Sequence, residues 1–267
     1  MDFSRFSDAQ ASRLLELLSS HMGAAARSPR AVHHLRVAIR RLRQALPKPC
    51  PEIRRPLKKI MTQAGAVRDC DIALELIAGS KAEDAPAVSA KLRARRAAAR
   101  NNLAALCREW PSRKVSIPLR KAGGSATVEQ AARRTLPRLA REFLREGHRA
   151  GGPKASAKHL HKFRLAAKKF RYTLELFAGC YGPAADQWLE QLKATQTLLG
   201  EIIDCAASQR LLQELGAGTE LIQALKRRRK RRTRAFRDAW EPAAEEFEKW
   251  IGALSHPHRS AAAPRSA

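Results

Sequence analysis

Val32-His33-His34-Leu35-Arg36-Val37-Ala38-Ile39-Arg40-Arg41-Leu42-Arg43 and Leu160-His161-Lys162-Phe163-Arg164-Leu165-Ala166-Ala167-Lys168-Lys169-Phe170-Arg171 are two versions of one stretch. His33 answers His161, Arg36 answers Arg164, Arg40 answers Lys168 and Arg43 answers Arg171, each pair 128 residues apart. Positions i, i+3, i+7 and i+10 share one face of a helix. His33, Arg36, Arg40 and Arg43 therefore line up as a cationic stripe roughly 15 Å long. Leu35, Ile39, Leu42 and Leu46 form an apolar stripe about a third of a turn away. Phe163, Ala167, Phe170 and Leu174 repeat that apolar stripe in the second copy. Each helix thus has one face for a core and a cationic face beside it.

A run of charge on a helix is usually a solvated surface. Two features oppose that reading here. The stripe recurs with its spacing kept, and each copy includes a histidine, a poor residue if solubility were the only need.

The composition agrees. Lys and Arg number 52 against 25 Asp and Glu, a net charge of +27 and a pI near 11.1. Such an excess implies a polyanionic partner: nucleic acid, an anionic membrane or a phosphate polymer. Aromatic residues are only 5%, with two Tyr, which is thin for stacking on single-stranded bases. With 44% hydrophobic residues in 267, a packed core is available to one large domain or two ordinary ones. Cys50, Cys70, Cys107, Cys180 and Cys205 are odd in number and lack C-x-x-C spacing, so neither a disulfide framework nor a zinc knuckle is expected. A reducing cytoplasm is the expected setting. Asp2 and Asp8 sit where a signal peptide would need a basic start and an apolar run. No stretch is long and apolar enough to span a bilayer.

Helical periodicity dominates the chain and no strand stands out. The first helix is predicted from Ser7 to Met22. The basic helix opens at Ser28 and Pro29, and Pro47, Pro49 and Pro51 close it. The third helix runs from Glu52 to about Ala78 and the fourth from Asp84 to Trp110. Pro118 and Gly123-Gly124 mark a linker. The second half retraces the first: Val128 to His148, kinked at Pro137; Ser156 to Ala178; Ala184 to Leu215; Thr219 to Ile251. Lys193, Gly200 and Asp204 answer Lys58, Gly65 and Asp69 at an offset of 135, so seven residues enter between these elements. In the last helix, Lys226 to Arg234 holds eight cations and one Thr, a stretch that must face water or a water-filled basic cavity.

His33 and His161 could be metal ligands, but their neighbours are cations, which repel a metal ion; donation to phosphate suits them better. His34 and His159 read as surface histidines. Asp69, Asp71 and Asp204, on helices facing arginines, read as carboxylates that orient guanidinium groups rather than as catalytic acids. Gly65 and Gly200 each cost about 1 kcal/mol against Ala in a helix interior, which suggests a close helix approach. No catalytic motif appears. Lys226 to Arg232 could also be read as a localisation-type or nucleic-acid patch, although its place inside a helix favours a binding wall.

The pattern V-H-x-L-R-x-x-I-R-R-L-R, repeated as L-H-x-F-R-x-x-x-K-K-F-R-Y, resembles the CHAD domain, the conserved histidine α-helical domain. Gly65, Arg68, Asp69 and Asp71 in G-x-x-R-D-x-D, and Leu198, Leu199, Gly200 and Asp204 in L-L-G-x-x-x-D, fit the same family. The resemblance covers about residues 6–254. It implies an all-α fold of two antiparallel four-helix bundles related by internal pseudo-twofold symmetry. The halves would be 6–112 and 127–254, with a linker at 113–126 and a disordered tail at 255–267. It also implies non-enzymatic binding of inorganic polyphosphate in a basic groove or pore between the halves, without cofactor or metal, in the cytoplasm at polyphosphate granules. Carried onto this chain, the binding residues are His33, Arg36, Arg40, Arg43, Lys58, Arg93, Arg96 and Arg100 in the first half. In the second they are His161, Arg164, Lys168, Arg171, Lys193, Arg227, Lys230, Arg231 and Arg234. Arg68, Asp69, Asp71 and Asp204 would support them. The chain departs from strict repetition in having Ile203 where the first half has Arg68, and Lys168 and Lys169 where it has Arg40 and Arg41. Lys meets phosphate as a point charge and Arg as a fork, so the halves should grip unequally.

Two rival functions carry weight against polyphosphate binding. A nucleic-acid-binding protein fits the charge but not the aromatic shortage. An enzyme or accessory protein of phosphate-ester or metal metabolism fits the histidines, but no nucleophile–base pair or acidic metal cage accompanies them. Under the leading reading a bound polyanion should draw protons onto His33 and His161, so affinity should weaken from mildly acidic to mildly alkaline pH.

Overall fold

The computed structural model describes residues 2–24, 28–46, 50–110 and 126–257. The expected linker short of its last residue, Pro47 and Pro49, and the tail beyond residue 257 lie outside the described residues. Eight α-helices follow one another among them: α1 (Phe3–Ala24), α2 (Pro29–Ala45), α3 (Pro51–Ile77), α4 (Ala85–Arg108), α5 (Val128–Gly151), α6 (Ala157–Phe177), α7 (Pro183–Glu214) and α8 (Thr219–Leu254). A single 3-10 turn, Ala178–Cys180, follows α6. The only extended pairing among the described residues is an isolated bridge between Asp2 and Thr127. The chain is therefore all-helical, as the periodicity predicts.

Local chemistry starts the helices. Ser28 Oγ accepts a hydrogen bond from the Ala31 amide at 3.1 Å, with Pro29 in the first turn, so α2 begins where the sequence places it. Thr127 with Gln130 and Ser156 with His159 form reciprocal capping boxes on α5 and α6. Arg54 of α3 donates to the carbonyls of Arg43 and Leu46, both at 3.2 Å, and so closes α2. Pro137 does not end α5. Its ring is buried and the helix runs on to Gly151. The missing hydrogen bond is outweighed by the apolar row Leu136, Leu139, Ala140 and Phe143, all buried on the same element.

The residues fall into two compact units. The first comprises Met1–Phe6, Lys121–Ile203 and Lys230–Ala267. Its core is aromatic: Phe143 lies 5.1 Å from Phe163, 5.6 Å from Phe170 and 4.9 Å from Phe247, ring centre to ring centre. Each such side chain contributes about 2 kcal/mol through burial. Trp240 of α8 sits against α5 at Gly147 and Gly151, where a β-carbon at Gly147 would collide with the indole.

The second unit comprises Ser7–Arg120 and Asp204–Arg229. One of its clusters joins Leu18, Val32, Leu35, Ile39, Leu42, Ile53, Leu57, Ile60 and Leu103. Another joins Cys70, Ala73, Ile77, Val88 and Leu92 to Leu212, Leu221, Ile222 and Leu225. Residues 204–229 thus group with helices of the first half. Polar ties reinforce that grouping. Gly218 N donates to Asp84 Oδ2 at 2.6 Å, Lys91 Nζ to the Leu215 carbonyl at 2.8 Å, and Arg95 pairs with Glu214 at 3.0 Å.

Candidate functional site

The apolar stripe of each basic helix is buried in full. Leu35, Ile39, Leu42 and Leu46 enter one core, and Phe163, Ala167, Phe170 and Leu174 enter the other. That burial fixes the rotation of α2 and α6, and with it the direction of the cations. The exposure of the cationic stripe repeats between the copies at its first three positions, while Arg43 is exposed and Arg171 half-buried. His33 and His161 are exposed, Arg36 and Arg164 half-buried, Arg40 and Lys168 half-buried, and Lys58 and Lys193 exposed.

In the second unit, α2 and α3 bring cations together. The guanidinium of Arg36 lies over Gly65, its Nη1 3.1 Å from where a β-carbon there would stand. The His33 imidazole is held below its ordinary pKa, first by partial burial and then by Arg68, His34, Arg40 and Arg36. Every named charge acting on it is positive, and Arg68 reaches it from α3. Arg68 also meets Glu75 at 3.4 Å. On α4, Arg96 forms an ion pair at 2.5 Å with Asp71, whose side chain is 4% exposed. A buried carboxylate pinned to a half-exposed guanidinium acts as an anchor for α4 against α3, so Arg96 is a positioning residue and only partly an open cation. Arg93 is exposed on the same helix, and Arg100 is half-buried there. Asp69 is exposed and Arg43 points to solvent at the end of α2.

In the first unit, Arg171 departs from its counterpart Arg43. Its Nε pairs with Glu175 at 3.1 Å, its Nη1 donates to Gln196 at 2.9 Å, and its guanidinium lies 4.8 Å from the Tyr172 ring centre. Gln196 in turn donates to the Ala167 carbonyl at 2.9 Å, so Arg171 serves the α6–α7 contact. Lys193 is 3.8 Å from Glu190, and both are exposed. The second glycine differs from the first. At Gly200 nothing lies within 4 Å of where a β-carbon would stand, so the close approach expected there is absent. Ile203 replaces Arg68 one turn on.

In α8 no residue between Leu225 and Phe236 is buried. Arg227, Lys230, Arg231 and Arg234 are exposed, and Arg232 is paired with Glu201 at 3.1 Å. Sequence reasoning missed the capping role of Arg54 and that of His159, whose Nδ1 accepts from the Ser156 amide at 3.1 Å. Ser-x-x-His at a helix start was the available signal. Among the described residues no group of three or more His, Cys, Asp or Glu could hold a metal ion, and no helix is long and apolar enough to cross a membrane. All five cysteines are buried free thiols.

A doubled cationic helix on an all-helical frame, followed in each copy by a Gly-Asp element, defines the class. The family model of the CHAD domain matches residues 9–213, and the chain belongs to that family. It is similar to the crystal structure of the CHAD domain from the plant Ricinus communis, with 25% identity and a TM-score of 0.67 over 97% of this chain and 94% of the other. No curated protein matches the chain.

Proposed function

We propose that this protein binds inorganic polyphosphate, without turning it over, through the cations carried by its two copies of the basic helix. The observation that carries this is the grouping of His33, Arg36, Arg40 and Arg68 with only positive charge acting on the imidazole. Holding like charges side by side costs free energy, and a polyanion laid across them removes that cost. A phosphate polymer has a charge at every repeat, which suits cations spaced along a helix. Family membership supports the same reading, since the CHAD family is linked to polyphosphate binding. The proposal extends to two four-helix halves related by pseudo-twofold symmetry, and to residence at polyphosphate granules in the cytoplasm. Arg36, Arg40, Arg164 and Lys168 are its principal contacts; Arg171, occupied by Glu175 and Gln196, is secondary.

The test is a calorimetric titration with polyphosphate of defined length at several salt concentrations, for the parent and for Arg36→Ala and Arg164→Ala. Affinity should fall steeply with salt through counterion release, and more shallowly in each variant. If duplex DNA or RNA displaces polyphosphate at equal phosphate concentration, the specific reading fails in favour of general nucleic-acid binding. Phosphate release above background would overturn the non-enzymatic reading.

A further inference from the structure

His21 lies on α1, and His33 and His34 on α2. The ring centres of His21 and His34 are 5.8 Å apart, and those of His34 and His33 are 6.1 Å apart. The three imidazoles form a row leading from the cationic stripe of α2 onto α1. His33 and His34 are exposed and His21 is half-buried, so the row is open to a ligand. The charges facing it come from each element nearby: Arg36 and Arg40 on α2, and Arg68 on α3, itself paired with Glu75. The second copy is built differently. At the same offset, His34 is answered by Lys162, a fixed cation. The matching turn of α5 carries His148 and Arg149, which face Glu248 at 3.5 Å and Glu146 at 2.9 Å. One copy therefore has a row of titratable groups where the other has fixed or compensated charge.

We propose that His21, His34 and His33 form a titratable extension of the anion-binding face, which takes up protons as a phosphate chain settles on it. This rests on the polyphosphate reading and adds to it a row of three rings that only the first copy carries, where the second has His161 beside Lys162. In the free protein burial and His34 hold His21 below its ordinary pKa, and His33 is held down likewise by burial, Arg68 and His34. A phosphate oxygen between the rings reverses that preference, because each imidazolium N–H then has an anionic acceptor. The bound state holds more protons than the free state, so affinity must rise as pH falls through the histidine range.

The experiment measures protons taken up on binding polyphosphate of defined length, by titration calorimetry in buffers of different ionisation enthalpy. Imidazole resonances of the parent protein are followed by NMR with and without the polymer. Affinity should rise about tenfold or more between about pH 8 and about pH 6 in the parent, and about threefold or less in His21→Gln/His34→Gln. The resonances of His21 and His33 should titrate at higher pH once polymer is added. Unchanged proton uptake in the double variant, or unshifted ring titrations in the parent, would overturn the subsite while leaving polyphosphate binding intact. Should zinc alone shift the three rings while the polymer does not, the row is a metal site and this inference fails. A parent protein that binds no polymer at either pH sinks the functional reading itself, a result distinct from the others.

Discussion

The Nη1 nitrogen of Arg36 lies 3.1 Å from the point at which a β-carbon on Gly65 would stand, whereas nothing lies within 4 Å of that point at Gly200. The two glycines are sequence counterparts with different jobs. Gly200→Ala should raise stability by about 0.5–1 kcal/mol, since it removes the entropic cost of glycine in a helix and meets open space. Gly65→Ala should gain less, because the guanidinium must yield by a few tenths of an ångström. It should also lower polyphosphate affinity several-fold by displacing Arg36. Urea unfolding and polymer titration of the two variants side by side test this. Equal gains in stability with equal affinities would refute the assignment.

Trp240 fills the notch that Gly147 and Gly151 leave on α5. Gly147→Ala places a methyl group inside the indole, and the ring cannot retreat, being packed against Phe143 at 5.6 Å and Phe163 at 4.7 Å. Overpacking of this kind typically costs about 1–3 kcal/mol. The expected outcome is a lower unfolding midpoint with altered tryptophan fluorescence, larger for Gly147→Ala than for Gly151→Ala. A midpoint equal to that of the parent would show that α5 and α8 can shift apart freely.

The helical frame was legible because the signals that set it are local: Ser28-Pro29, the apolar spacing of Leu35, Ile39 and Leu42, and glycines or prolines between helices. What stayed hidden depends on long-range packing. Nothing near Asp204 announces that residues 204–229 pack with the first half, since the decisive contacts join Leu212, Leu221 and Leu225 to Ile77, Val88 and Leu92. In the candidate site, periodicity identified the stripe and burial repeats it in both copies. It could not show which neighbours each cation engages. Arg171 reads like Arg43 in the sequence, yet it is committed to Glu175 and Gln196 through a partner on α7 that no repeat predicts.

That commitment separates two arginine variants. Arg36→Ala removes a cation from the face and should weaken polyphosphate binding. Arg171→Ala removes two polar contacts, to Glu175 and to Gln196, at a half-buried site. A hydrogen bond to a charged group contributes about 1.5–3 kcal/mol when sheltered, and the partial exposure here brings the loss below that range, to about 1 kcal/mol. The comparison turns on affinity: Arg36→Ala should lose more of it than Arg171→Ala, whose effect falls on stability. Thermal unfolding and polymer titration on the same preparations check it, and the reverse order would show that Arg171 is a primary contact.

The free protein should also carry the signature of its histidines in its stability. His33 is held below its ordinary pKa by burial, Arg68, His34, Arg40 and Arg36, and His21 by burial and His34. For a group whose folded pKa is depressed, the unfolded chain binds the proton more readily. The stability from keeping both rings neutral is therefore fully present above the ordinary histidine value of about 6.5 and is lost as pH falls through the lowered folded values. The urea midpoint should drop from about pH 7.5 to about pH 5, and the drop should shrink in His33→Gln and in His21→Gln. Polyphosphate should act in the opposite sense over the same interval, since the bound form favours the charged rings and stabilises the folded state more strongly in acid. Parallel midpoint curves with and without polymer would show that the histidines titrate independently of the anion.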